Sequence, residues 1–195
     1  MVRFIQEIRN LLGNIRYAWQ ERKTPYIDNK VLNERYIENR DLYKKKIDSA
    51  FAHLKNNDLT QALYEKFIAD EYFDTAHLWV KKSRLAKYIN DNRDHVKGAL
   101  IGMFSDYTTS LGTAGGAALT APSIYANGSD VLSDILFFGF IIVSGLTFVT
   151  GVVNQKRLNR LVKEHKDYTR EFEETTNLIE RKRIYEFDKK TVEQR

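Results

Sequence analysis

The side chains with most scope for acid–base or metal chemistry in this sequence are its four histidines and 26 carboxylates. His53, His77, His95 and His165 are dispersed, and none falls into an HxxxH, HExxH or comparable ligand spacing. The carboxylates that lie close enough to pair as acid and base are Glu173 with Glu174 and the cluster Asp70, Glu71 and Asp74. Neither group has the apolar shelter that drives two pKa values apart, so both read as solvated helix faces. Gly112, Gly115 and Gly116 lie in an apolar segment with no Lys-Ser/Thr sequel, which makes them packing residues and not a phosphate loop. With no cysteine there is no disulfide, thiolate metal site or cysteine nucleophile. The expectation is a non-enzyme with no catalytic residue, cofactor, metal or small-molecule substrate.

The stronger signal is the distribution of charge. Of 31 Lys and Arg residues none falls between Gly98 and Gln155, where an even scatter would place roughly nine. Ile135 to Val153, ILFFGFIIVSGLTFVTGVV, is a 19-residue stretch without charge. That is close to the length a helix needs to cross a ~30 Å hydrocarbon layer. The preceding stretch from Gly98 to Tyr125 is more polar, with Asp106 inside it and Pro122 near its end. Its small residues are ordered: Gly98, Gly102, Ser110, Ala114 and Ala118 fall on multiples of four, and Gly112 with Gly116 adds a GxxxG pair.

Such a face suits close helix contact. It can pack on the second span, where Ser144, Thr147 and Gly151 offer a shallow groove, or it can form an oligomer seam or line a pore. Asp106 fits a pore lining or an intramembrane polar site, since ionisable groups in a span face protein or water. At the membrane interface it would instead be solvated. Basic residues flank the segment, with Lys81, Lys82 and Arg84 before it and Lys156, Arg157 and Arg160 after it, while the link from Asn127 to Asp134 holds only Asp130 and Asp134. The positive-inside rule then puts both termini in the cytoplasm, with the flanking cations at the surface of the inner membrane.

The elements that position this hairpin are helical throughout, and no strand pattern appears. Ile5, Ile8, Leu12, Ile15 and Trp19 mark an amphipathic helix in which Arg3, Glu7, Arg9 and Arg16 interrupt the apolar core that a secretory signal is expected to have. A second helix starts between Asp28 and Glu34 and ends at Asn56, Asn57 and Asp58, which also cap the next one. The third runs from Leu59 to about Asn92 with a break near Asp74 and Thr75. From Asn154 onward, Leu158, Leu161, His165, Tyr168, Phe172, Thr175 and Ile179 alternate three- and four-residue steps, the spacing of a coiled-coil-like seam. The run Lys44, Lys45, Lys46 reads as a solvated face, and no nucleic-acid partner is expected. The fold class is therefore an all-α membrane protein: a cytoplasmic helical region over 1–97, a two-helix transmembrane hairpin over 98–153 and a cytoplasmic C-terminal helix over 154–195.

Two segments carry a family resemblance. LWVKKSRLAKYI, Leu78 to Ile89, places Trp79, Lys82, Ser83 and Arg84 ahead of the first span, and RLNRLVKEHKDYTREFEE, Arg157 to Glu174, is a charged helix after the second. Over about residues 76–175 the chain resembles the bacterial two-transmembrane effectors of the SLATT class, found in nucleotide-signalling and anti-phage systems. The resemblance implies a homo-oligomer that permeabilises the inner membrane when a cytoplasmic sensor protein releases it. The residues by themselves leave two other readings open: a passive membrane anchor or scaffold, and a soluble colicin-like bundle with a hidden hairpin.

Overall fold

The computed structural model describes residues 2–127 and 131–193, with side chains over 5–119, at 121 and over 134–182. Four helices account for almost all of it: α1 (Val2–Glu21), α2 (Asn29–Lys55), α3 (Leu59–Asn127) and α4 (Val131–Glu193). Among the described residues there is no strand. Asp130, counted in the link between the spans, lies outside the described residues, as do the side chains of Pro122 and Tyr125.

The break expected near Asp74 and Thr75 does not occur. Thr75 Oγ1 donates to the Glu71 carbonyl one turn back (2.9 Å), so a hydroxyl that often signals a turn is satisfied within the helix. Likewise neither residue 97 nor residue 154 is a helix boundary; α3 and α4 carry the change from charged to apolar composition without interruption.

The turn between α2 and α3 is set by three polar residues. Asn57 takes a left-handed backbone (φ 61°), which Asn tolerates better than most residues. Its N–H donates to the Leu54 carbonyl (3.1 Å) and that of Asp58 to the His53 carbonyl (3.0 Å), the paired bonds of a Schellman stop. The Asp58 carboxylate then accepts from the Gln61 N–H (3.1 Å) and caps α3. At the other end of α2, Asp28 caps through the Lys30 N–H (2.8 Å).

The chain divides into two compact units, Met1–Thr24 with Asn92–His165, and Pro25–Asp91 with Lys166–Arg195. Antiparallel helices bring sequence-distant segments side by side, so the segments 1–97 and 154–195 are each divided between the two units, while 98–153 lies wholly within the first. In the second unit Leu32, Trp79, Ala86 and Ile179 form the core, with Phe172 against it. Lys46–Glu65 (2.9 Å) and Lys182–Asp74 (3.3 Å) pair across helices, and Tyr88 stacks on Tyr168 at 5.5 Å. Asn90 clamps the backbone of Ile27 from both sides, donating to its carbonyl and accepting from its N–H (2.9 and 3.0 Å).

The first unit packs α1 against the paired α3 and α4. Its core is Ala18, Val96, Ala99, Leu100, Met103, Leu158, Leu161 and Val162. Ala18 is fully buried because the small side chain admits both neighbours. The larger apolar face read from the sequence points elsewhere: Ile5, Ile8, Leu12 and Trp19 are exposed, and only Ile15 of that row reaches the core edge.

Replacing Asp58 by Ala removes the α3 cap, and the expected loss is about 1 kcal/mol. Thermal unfolding followed by circular dichroism should show a fall of roughly 2–4 °C, as expected for a chain of this size.

Candidate functional site

Within the first unit α3 and α4 lie antiparallel, and the contacts between them are unusually polar for so apolar a segment. Ser110 Oγ donates to the Ser144 carbonyl (3.0 Å), and Ser144 Oγ donates to the Ser110 carbonyl (3.1 Å). This reciprocal pair satisfies both hydroxyls without water. Toward the charged end, Asn154 Nδ2 donates to the Asp106 carboxylate (2.8 Å) and the Tyr107 hydroxyl donates to Gln155 Oε1 (2.7 Å). Asp106 is therefore half-buried in the seam and paired there. The threonines of the two segments turn back on their own helices: Thr108 donates to the Phe104 carbonyl, Thr113 to Thr109 and Thr147 to Val143. A hydroxyl bonded in this way can face an apolar medium at little penalty.

Glycine marks the closest approaches. A Cβ on Gly151 would stand 2.9 Å from the Tyr107 ring, one on Gly116 3.2 Å from Phe140, and one on Gly102 3.2 Å from Asn154. With Ser110, Ser144 and Thr147, these are the expected small residues that the structure brings together. The others it does not: space is open at Gly98 and Gly112, and Ala114 and Ala118 are exposed. The geometric reason is that a strict four-residue step drifts around a helix of 3.6 residues per turn, so the row from Gly98 to Ala118 leaves the seam after a few turns. The seam instead follows Met103, Tyr107, Ser110 and Ala117 on α3, while Gly98 and Gly112 lie on a second, exposed face with Ser105, Thr108, Gly115 and Leu119.

At the base of the hairpin α1 is fixed by buried polar groups. Arg93, 2% exposed, donates to the Thr24 carbonyl (3.1 Å) and lies 3.7 Å from the Glu21 carboxylate. His165 Nδ1 shares a hydrogen bond with the Tyr17 hydroxyl (2.8 Å), and Asn14 Nδ2 donates to Asn159 (3.0 Å). The sequence showed His165 only as a seam position and gave no sign of this cluster, whose members lie some 70 to 150 residues apart. Beside it a groove of about 610 Å³ runs between α1 and α3, with Trp19, Arg22 and Lys97 at its charged end and Ile101 and Phe104 along its apolar side. The Arg22 guanidinium lies over the Trp19 ring at 5.4 Å.

The flanking cations divide in the same manner. Lys156 and Arg157 are exposed, and Arg160 is exposed beside Glu164 (3.6 Å). Lys81 and Lys82, expected at the membrane surface, are engaged within the second unit: Lys81 pairs with Glu171 (2.8 Å), and Lys82 sits over Trp79 and Phe172 at 5.2 and 5.0 Å. Arg84 is exposed. No group of three acidic or histidine side chains suited to a metal occurs among the described residues.

Gly151→Leu should overpack the seam and cost about 1–3 kcal/mol, whereas Gly112→Leu, facing open space, should stay within about 0.5 kcal/mol of the parent. Melting of both variants in detergent, followed by circular dichroism, checks the difference. Asn154→Leu should cost about 1–3 kcal/mol by stranding the Asp106 carboxylate, and Asp106→Ala in the same chain should recover part of that loss.

Comparison with family models, with curated proteins and with solved structures finds no match to this chain.

Proposed function

We propose that this chain is a membrane effector: residues 98–153 span the inner membrane as a two-helix hairpin with both termini cytoplasmic, and copies associate to permeabilise the bilayer when triggered. The observation that carries the membrane reading is the solvent side of α4. Its described portion is long and apolar enough to cross a membrane, yet only 6% of its most apolar window is buried within the chain. Ile135, Phe138, Ile142, Leu146, Val149 and Val153 all point outward. In water that surface would be a large aggregation-prone patch, and in lipid it is ordinary. A core helix of a soluble bundle would have these positions covered.

Three further features agree with a bilayer as partner. Self-satisfied threonines and the Ser110–Ser144 exchange leave those polar groups independent of water. Trp19, Arg22 and Lys97 combine an aromatic ring and two cations where the apolar face of α3 begins, the composition of a headgroup-level belt. The outward Ile5, Ile8, Leu12 and Trp19 suit a helix lying in the interface, with the exposed Arg9 and Arg16 along the edge of that row, one turn from Ile5 and Leu12.

The homo-oligomer is proposed to form through the second face of α3, because Gly112 and Gly115 leave it open to close approach. Release requires two states that differ in what α1 touches, and the polar cluster at Arg93 and His165 is the holding contact. A cytoplasmic sensor that binds the freed helix, or the pore form alone, would shift that balance. Anti-phage defence is the setting that the resemblance to the SLATT class suggests.

The chain lacks cysteine, so single cysteines report topology directly. Ser129→Cys should be labelled from outside intact spheroplasts by an impermeant maleimide, and Lys55→Cys only after lysis. Labelling of neither from outside, with extraction of the protein by alkali, would end the two-span reading. In expressing cells dye entry should be lost with Gly112→Leu while the protein still sits in the membrane. Unchanged dye entry would remove the α3 face as the seam, and harmless expression of every form would favour the anchor.

A further inference from the structure

We infer that the cleft between α2 and α3 in the second unit binds an aromatic phosphate ester, a ligand of the nucleotide class. The cleft holds about 600 Å³, within the range of small-molecule sites. Four cations line it: Arg40 and Lys44, one turn apart on α2, and Lys81 and Arg84, one turn apart on α3. None of the lining residues is acidic.

That arrangement departs from the rest of the unit, where helices meet acid to base, as at Lys46–Glu65 and Lys182–Asp74. Like charges brought together on facing helices repel one another, and the repulsion is relieved by an anion. The carboxylates that do reach two of these cations come from outside the cleft. Arg40 bonds Asp41, its neighbour in sequence, and Lys81 pairs with Glu171 of α4. Among the described residues no carboxylate pairs with Lys44 or Arg84. Two guanidinium forks and two ammonium groups then offer phosphate oxygens both bidentate and point-charge partners.

The remaining lining is aromatic. Tyr43 packs on Phe73 with ring centres 5.3 Å apart, and Phe73 meets His77 edge-on at 4.4 Å. Phe73 is nevertheless 45% exposed, an apolar ring left open between cations. Ala76 and Val80 complete the apolar part of the lining. Rings stack on a nucleobase without regard to its identity, at about 1–3 kcal/mol per base. An inorganic polyanion would use the cations and leave the rings idle, and a neutral aromatic would do the reverse. A ligand with both parts uses the whole cleft. The inference is independent of the membrane reading, since the unit that holds the cleft contains none of residues 135–153.

The test is calorimetric titration of the full chain in detergent with ATP, adenosine and inorganic tripolyphosphate. ATP should bind at least about ten-fold more tightly than either fragment, a difference of about 1.4 kcal/mol. Arg84→Glu and Lys44→Glu should each weaken ATP about ten-fold or more, Phe73→Ala should erase its advantage over tripolyphosphate, and Lys55→Glu, a reversal elsewhere on α2, should change nothing. Far-UV circular dichroism accompanies each variant, and Arg84→Gln replaces the reversal where helicity falls. Tripolyphosphate binding as tightly as ATP, equal weakening by Lys55→Glu, or no binding at about 1 mM ATP would each overturn the inference.

Discussion

Two helices as long as α3 and α4 stay in register only where side chains meet at alternating three- and four-residue steps. On α4 this spacing runs through Phe137, Phe140, Ser144, Thr147, Gly151, Asn154, Leu158, Leu161 and His165 in the first unit, and through Tyr168, Phe172, Thr175 and Ile179 in the second. Every one of those positions is buried or half-buried. What changes along the helix is the residue type between them. Before Asn154 most outward positions are Ile, Leu, Phe and Val; after Gln155 most are Lys, Arg, Asp and Glu. The packing period is constant, and on the membrane reading the medium it is built for is not.

On that reading the contents of the seam follow from the medium. In the charged region large apolar groups such as Leu158 and Val162 fill it, because expulsion of water supplies the attraction. In the apolar region that drive is absent when lipid is the solvent, and beside Phe137 and Phe140 the seam holds Ser110, Ser144, Gly116 and Gly151, which allow backbones to come close and exchange hydrogen bonds. Asp106 with Asn154 and Tyr107 with Gln155 sit where one regime gives way to the other. The small and hydroxyl residues therefore enter the seam on the same side of this boundary as the outward apolar residues.

Much of this was legible in the sequence, and the exceptions have physical causes. The limits of α2 were readable because Asp28, Asn57 and Asp58 act on neighbouring backbone. The seam from Leu158 to Ile179 was readable because it is a period within one helix. The uninterrupted passage through Thr75 was not, since a threonine that bonds its own preceding turn carries the same letter as one that starts a new turn. The four-residue row of small residues was a true pattern assigned to one surface when the helix divides it between two. Nor could periodicity say what covers a face: Ile5, Ile8, Leu12 and Trp19 were recognisable as a stripe, but only the coordinates show that Ala18 takes the inward position. The cation cleft was unreadable for another reason, because Lys44 and Arg84 belong to different helices and meet only through packing.

The same distinction bears on how α1 is held. An amphipathic helix that buried its apolar stripe in the core would be held by water exclusion, a non-directional force that resists partial release. Here the inward side carries Ala18, with Leu11 and Ile15 at the core edge, and a few directional contacts, Tyr17 to His165, Glu21 beside Arg93 and Asn14 to Asn159, while Ile5, Ile8, Leu12 and Trp19 stay outside. Contacts of this kind are lost together when their geometry shifts, because each leaves a buried polar partner behind. On the membrane reading the outward stripe has its own environment in the interface, so detachment of α1 would not expose it to water. The helix would then have two resting places, and a switch requires that they differ little in free energy.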